Sequence, residues 1–195
     1  MPDGTADMTS ARAEDAELMR RVSNGDPAAF RALSDRHLGR VHGLAWRLLG
    51  EPSEAEDVAQ ECFLRVWRQA GRWKPNATVA TWLHRIAYNL SIDKLRARRP
   101  TVPIEPLDPA SEDASADQRI QDSHVARRLD LALADLPERQ RGAIVLVHYQ
   151  ELPAREAASI MDISVEALES LLSRARRALR AALIEEAADL IGVEK

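Results

Sequence analysis

ELPAREAASIMDISVEALESLLSRARRALR, residues 151–180, is the stretch from which the rest of the chain can be read. Pro153 suits a first helical position, where its missing N–H costs nothing. Ala157, Ile160 and Met161 then share one helical face. Asp162, Ile163 and Ser164 interrupt the pattern, and Ser164 can cap a second helix by accepting from an orphan backbone N–H. Leu168, Leu172, Ala175 and Leu179 follow at helical spacing, with Arg174, Arg176, Arg177 and Arg180 crowding the far end. A short helix, a tight turn and a longer basic helix predict a helix-turn-helix, whose second helix enters the DNA major groove. A helical hairpin with a solvated Arg-rich face has the same pattern.

Working outward, the 195 residues are 45% hydrophobic and 30% charged, enough for one or two small domains with their own cores. Only 4% are aromatic, and Ala, Leu, Arg and Glu dominate, so the predicted fold class is all-α. A single cysteine, Cys62, excludes a disulfide framework within the chain, and five scattered histidines show no zinc spacing. No metal, cofactor or small-molecule substrate is predicted. No apolar run approaches the roughly 18 residues of a membrane span, and the acidic start, MPDGTADMTSARAEDAE, has no apolar signal core. A cytoplasmic protein without membrane insertion is expected. The formal net charge of −4 argues against a protein that coats DNA unaided.

Residues 1–13 read as a disordered tail. A helix is expected from Glu14 to Ser23, and another begins at Asp26-Pro27 and continues with Val41, Leu44, Ala45, Leu48 and Leu49 inward until Gly50-Glu51-Pro52. Residues 53–70 form the clearest helix, with Ser53 and Glu56 as a capping box. Its apolar stripe is Ala55, Val58, Ala59, Cys62, Phe63, Val66, Trp67 and Ala70. Cys62 in that stripe reads as a small buried hydrophobe rather than a nucleophile. Asp57, Gln60, Glu61, Leu64 and Arg68 cluster opposite, so Leu64 stands exposed among charges, a candidate protein-binding face. The Gly71–Asn76 loop holds Trp73 and Lys74, with Trp73 either a hydrophobic plug or a platform for a nucleic-acid base. Residues 78–95 are helical, with Val79, Trp82, Leu83, Ile86 and Leu90 inward and His84, Arg85, Tyr88, Asn89 and Ile92 on the other side. Lys94, Arg96, Arg98 and Arg99 make that end basic, as the helix dipole favours and as a nucleic-acid face requires. Residues 100–118 hold four prolines, five acids and no Lys or Arg, and read as a flexible acidic linker. Beyond it, helices are expected over 119–136 (Ile120, Val125, Leu129, Ala132, Leu133 and Leu136 inward) and from Pro137 to Tyr149. The organisation is therefore two small helical domains, 14–99 and 119–190, on either side of the linker.

These motifs together resemble bacterial RNA polymerase sigma factors of the extracytoplasmic-function (ECF) group. The resemblance rests on AEDVAQECFLRVWR (55–68), TWLHRIAYNLSIDKLR (81–96), LPERQRGAIVLVHYQELPAREAASIMDIS (136–164) and SRARRAL (173–179), in order across residues 15–183. It implies a non-enzymatic subunit that brings core RNA polymerase to promoter DNA and is controlled by an anti-sigma factor. By that resemblance, Asp57, Gln60, Glu61, Leu64 and Arg68 meet core polymerase. Trp73, Lys74, Asn76, Arg85, Tyr88, Asn89, Lys94 and Arg96 meet the melted −10 element, where extruding a base needs compensating stacking and edge hydrogen bonds. Glu169, Ser170, Leu171, Ser173, Arg174, Arg176 and Arg177 meet the −35 duplex. The acidic linker would lie in the channel that later carries RNA. The chain departs from the family pattern at Glu169 and Leu171, where basic residues are common. Glu169 can accept from cytosine N4 and Leu171 can touch a thymine methyl, or the helix relies on phosphates and DNA shape. Two other readings fit fewer of the motifs: a helix-turn-helix regulator, which leaves the Leu64 face and the Trp73 loop without a role, and a sigma mimic that sequesters an anti-sigma factor.

Overall fold

The computed structural model describes the backbone over residues 4–98 and 129–191, and all of its regular structure there is helical. Residues 99–128, which include the expected linker and Arg99, Ile120 and Val125, lie outside the described residues. The first group comprises α1 (Gly4–Ser23), α2 (Pro27–Leu49), α3 (Pro52–Gln69), a 3-10 turn (Ala70–Arg72) and α4 (Val79–Arg98). The second comprises a helical turn α5 (129–134), α6 (Glu138–Ile144), a π-helical turn (Val145–Tyr149), α7 (Ala154–Met161) and α8 (Val165–Ile191).

Local chemistry sets most of the boundaries. Asp26 caps α2 by accepting from the N–H groups of Ala28 and Ala29 at 2.9 and 3.1 Å, with Pro27 behind it in the first turn. Gly50 ends α2 at φ 72°, a left-handed conformation a side chain would strain, and its N–H returns to the Trp46 carbonyl. Two expectations fail by a register. The capping box at Ser53 does not form: Pro52 already occupies the first turn, Glu51 is the N-cap, and the Ser53 hydroxyl turns to the Glu51 carboxylate instead. Pro153 likewise sits at the N-cap of α7, extended at ψ 144°, rather than inside the helix. The helix expected from Glu14 starts at Gly4, through residues expected to be a disordered tail; Ala6, Ala11 and Ala13 favour helix there.

In the first group α2 is central, packed against α1, α3 and α4. Leu33, Val41, Leu44, Ala45 and Leu48 from α2 meet Ala55, Val58, Cys62 and Val66 from α3, all 0–1% exposed. Each large aliphatic side chain so buried contributes about 1.5–3 kcal/mol. Trp67 is not part of this stripe: it is 41% exposed and stands edge-on to Phe30 at 5.2 Å. One charged cluster ties α1 to α2. Asp15 accepts from Arg36 at 2.7 Å and pairs with the buried His37 at 2.8 Å. Burial alone would raise the Asp15 carboxyl, but the bonds from His37 and Arg36 outweigh it and hold it below its usual range.

In the second group α8 packs on α6 and α7 through Leu168, Leu172 and Ala175. The helix expected to run unbroken from Pro137 to Tyr149 changes to π-helical turns at Val145, and Val147 is only half-buried. The buried residues of the two groups join in one continuous core cluster: α4 packs on α6 and α7, and α2 packs on α6 and the π turn.

Candidate functional site

The outer face of α3 is built as expected. Burial of Val58, Ala59, Cys62 and Phe63 on one side leaves Asp57, Gln60, Leu64 and Arg68 exposed on the other, with Leu64 47% exposed. Glu61 is half-buried and accepts from Arg65 at 2.8 Å, one turn on. Asp57 is paired with Lys94 of α4 at 3.0 Å. The acidic end of this face and the basic end of α4 therefore meet, although the sequence reading gives them to different partners. Arg98 is similarly engaged by Glu54 and donates to the Leu49 carbonyl at 2.9 Å. Cys62 is buried, its sulfur 3.7 Å from the Leu83 carbonyl, and burial pushes the thiol up to about 12, which suits an inert core residue.

The loop before α4 presents Lys74 and Asn76 to solvent, while Trp73 is half-buried against the core. Its Nε1 is enclosed without a hydrogen-bond partner, beside a cavity of about 200 Å³ bordered by Met19, Arg20, Ser23, Ala70 and Gly71. The plug reading suits this geometry better than the stacking platform. Thr78 opens α4 by accepting from the Thr81 N–H at 3.0 Å.

Helix α4 is where the expected faces fail. Arg85, Asn89 and Arg96 are exposed, but Tyr88 is 7% exposed and His84 2%. Ala87, Ser91, Ile92 and Leu95 are buried with them, while Trp82, Ile86 and Leu90 are only half-buried. The helix is covered on two sides, by α2 and α3 and by α6 and α7, so no single apolar stripe describes it. Tyr88 faces Gly142 of α6, and burial raises its phenol above the usual value, against the pull of Arg139 and Arg96. Burial, then the charges of Arg40 and His37, pushes His84 down to about 4, so it is neutral at physiological pH.

The helix-turn-helix forms as read. Asp162 ends α7 at φ 53°, and the Ile163 N–H returns to the Ala158 carbonyl at 3.1 Å. Ser164 caps α8, its hydroxyl accepting from the Ala167 N–H at 3.2 Å. Glu169, Ser170, Ser173, Arg174, Arg176 and Arg177 project to solvent from α8, opposite its buried Leu168, Leu172 and Ala175. Leu171 is different: it is half-buried and packs against the core, so it is poorly placed to meet a base. Arg176 reaches back to His148 at 3.2 Å.

Sequence reasoning missed the residues that join the two groups, Arg40, Arg47, Thr81, Arg141, Gln150 and Glu156. They are ordinary surface types at ordinary spacing. Only Gly142, a glycine inside a helical pattern, carried a signal of close approach.

Among the described residues there is no cluster of three or more His, Cys, Asp or Glu able to hold a metal, and no helix long and apolar enough to cross a membrane. Two family models match the chain, "Sigma-70 region 2" over residues 33–101 and "Sigma-70, region 4" over residues 126–179. The ECF RNA polymerase sigma factor SigW of Bacillus subtilis is 31% identical over 173 residues, covering 83% of this chain and 92% of the relative. The solved structure of CnrH in complex with the cytosolic domain of CnrY is similar at TM-score 0.67 and 28% identity, covering 88% of this chain and 98% of CnrH. The sigma factor RpoE of Bartonella quintana, solved with the anti-sigma factor NepR, shares the fold at TM-score 0.63 and 24% identity, covering 79% of this chain and 96% of the other.

Proposed function

As the chain belongs to the ECF group of RNA polymerase sigma factors, we propose a division of labour among its helix faces. The protein binds core RNA polymerase, directs promoter-specific initiation and is controlled by an anti-sigma factor. It acts in the cytoplasm, and catalysis belongs to the polymerase. The region around 14–99 carries core binding and −10 recognition, and the region around 119–190 carries −35 recognition.

The outer face of α3 is the principal dock. A small hydrophobic anchor, Leu64, ringed by Asp57, Gln60, Glu61 and Arg68 has the anatomy of an interface hot spot with a polar rim. That exposed leucine, on a helix whose opposite side is fully buried, is the observation that carries the proposal. For −10 DNA, Lys74, Asn76, Arg85, Asn89 and Arg96 are the exposed donors, with Lys94 released from Asp57 when the phosphate backbone competes for it. For −35 DNA, Arg174, Arg176 and Arg177 hold phosphates and Glu169, Ser170 and Ser173 face the bases.

Transcription in vitro with purified core polymerase tests this directly. Promoter-dependent transcripts are expected with the wild-type chain and their loss with Leu64→Arg at unchanged thermal stability. An absence of transcripts from core shown active with another sigma factor would overturn the proposal.

A further inference from the structure

Arg176 on α8 is held differently from the other arginines that bond a side chain across the surface. Arg20, Arg21, Arg36, Arg65 and Arg98 each donate to a carboxylate, of Glu17, Asp26, Asp15, Glu61 and Glu54 in turn, which offsets the charge while it orients the side chain. Arg176 instead meets the imidazole of His148, with its guanidinium 3.2 Å from Nε2. A guanidinium has donors and no acceptor, so Arg176 donates and Nε2 carries the lone pair. The imidazole of this pair is therefore neutral, with its proton on Nδ1, and Arg176 keeps its full positive charge.

The pair also stands at the edge of the recognition helix. Glu169, Ser173 and Arg176 fall at i, i+4 and i+7 on α8, in one stripe of exposed side chains. His148 comes from the π turn, a kind of helical irregularity that recurs at functional sites. Val145 and Leu146 are buried just before it, so the exposed His148 projects towards α8 from a fixed backbone.

We propose that His148 is a positioning residue for the −35 contact: it fixes the Arg176 guanidinium for the phosphate backbone without neutralising it. The inference rests on the −35 reading of α8 and adds to it a residue outside the helix-turn-helix. One N–H of Arg176 goes to Nε2, and the remaining donors stay available to phosphate oxygens as a fork. An arginine that is already held gives up less rotamer freedom on binding than a free one. A carboxylate at position 148 would hold the side chain as well, but it would compete with the phosphate for it. An exposed pair of this kind adds little to folding stability, so its loss is read in DNA affinity and not in melting temperature.

Fluorescence anisotropy of the holoenzyme on a promoter fragment, run as a salt series, tests this. His148→Ala should weaken binding by roughly fivefold, evenly across promoters, because it returns rotamer freedom to Arg176. His148→Gln, whose side-chain oxygen can accept from Arg176 without bringing a charge, should bind close to the wild-type level. His148→Glu should bind less well than His148→Ala and reduce the salt slope by about one, since its carboxylate takes the guanidinium from the phosphate. In an Arg176→Ala chain, His148→Ala should have no further effect. Circular dichroism and melting temperature should be the same for every variant. Wild-type affinity for His148→Ala, where Arg176→Ala binds weakly, would overturn the proposal. So would equal affinities for His148→Gln and His148→Glu, or a His148→Ala loss that persists without Arg176. Wild-type affinity for Arg176→Ala would refute the −35 reading of Arg176 itself, and the positioning role would fall with it.

Discussion

Helices α3 and α4 are neighbours of similar length, each with a face predicted to meet a partner, yet α3 keeps its face open and α4 does not. Leu64 on α3 is 47% exposed; Tyr88 on α4 is 7% exposed beneath Gly142. The difference follows from what packs behind each helix. α3 is covered on one side by α2 and α4, so its polar stripe must face water. α4 is packed by the first group on one side and by α6 and α7 on the other, and only Arg85, Asn89, Asp93 and the basic end escape. An amphipathic pattern shows which residues share a stripe. It does not show how many neighbours the helix has.

The largest expected effect breaks the open side of this comparison. Leu64→Arg should weaken core binding by at least about 2 kcal/mol, about 30-fold, with no change in melting temperature. Titration calorimetry or fluorescence anisotropy with core polymerase measures it, and unchanged affinity would remove α3 as the dock. Next comes the covered side. His84, enclosed by Arg40 and His37 of α2 and by Gln150 of the second group, has its imidazole held down at about 4. A depressed histidine contributes stability that is full above its ordinary value near 6.5 and is lost as pH falls towards 4. Urea unfolding should therefore lose about 2 kcal/mol between pH 7.5 and pH 5. Asp15, held low by His37 and Arg36, stays ionised across that window, and its contribution is lost only at more acid pH. His84→Gln should flatten the profile; a variant as pH-sensitive as the wild-type chain would show that another group titrates.

Smaller effects sharpen the picture on α8. Exchanging Glu169 for Arg should shift −35 preference by about 1 kcal/mol at one or two base positions, measured by competition among promoter variants with holoenzyme. Identical preference would mean that this position reads no base. Arg177→Ala should weaken holoenzyme binding evenly across promoters and reduce the salt slope by about one. A promoter-selective loss would instead make Arg177 a base reader.

Much of this molecule could be read from its residues. The helix starts at Asp26 and Ser164 and the stop at Gly50 announce themselves through local hydrogen-bonding chemistry, which needs no tertiary context. The helix-turn-helix and the Leu64 face follow from spacing alone. The misses share a cause. Helical phase puts Trp67 in the buried stripe and Tyr88 on the open side, and the family resemblance puts Leu171 towards the groove; in each case tertiary packing decides the exposure instead. The Ser53 capping box lost to Pro52, a purely local competition that the proline should have signalled. The change to π-helical turns at Val145, which brings Tyr149 and Gln150 to α2, has no mark in the sequence that we can identify.

The most direct measurement is radical footprinting of Leu64 in the full chain, before and after core polymerase is added without DNA. Leu64 should be labelled in the free chain, where it is exposed, and protected in the complex. A Leu64 that stays labelled in the complex would contradict the account.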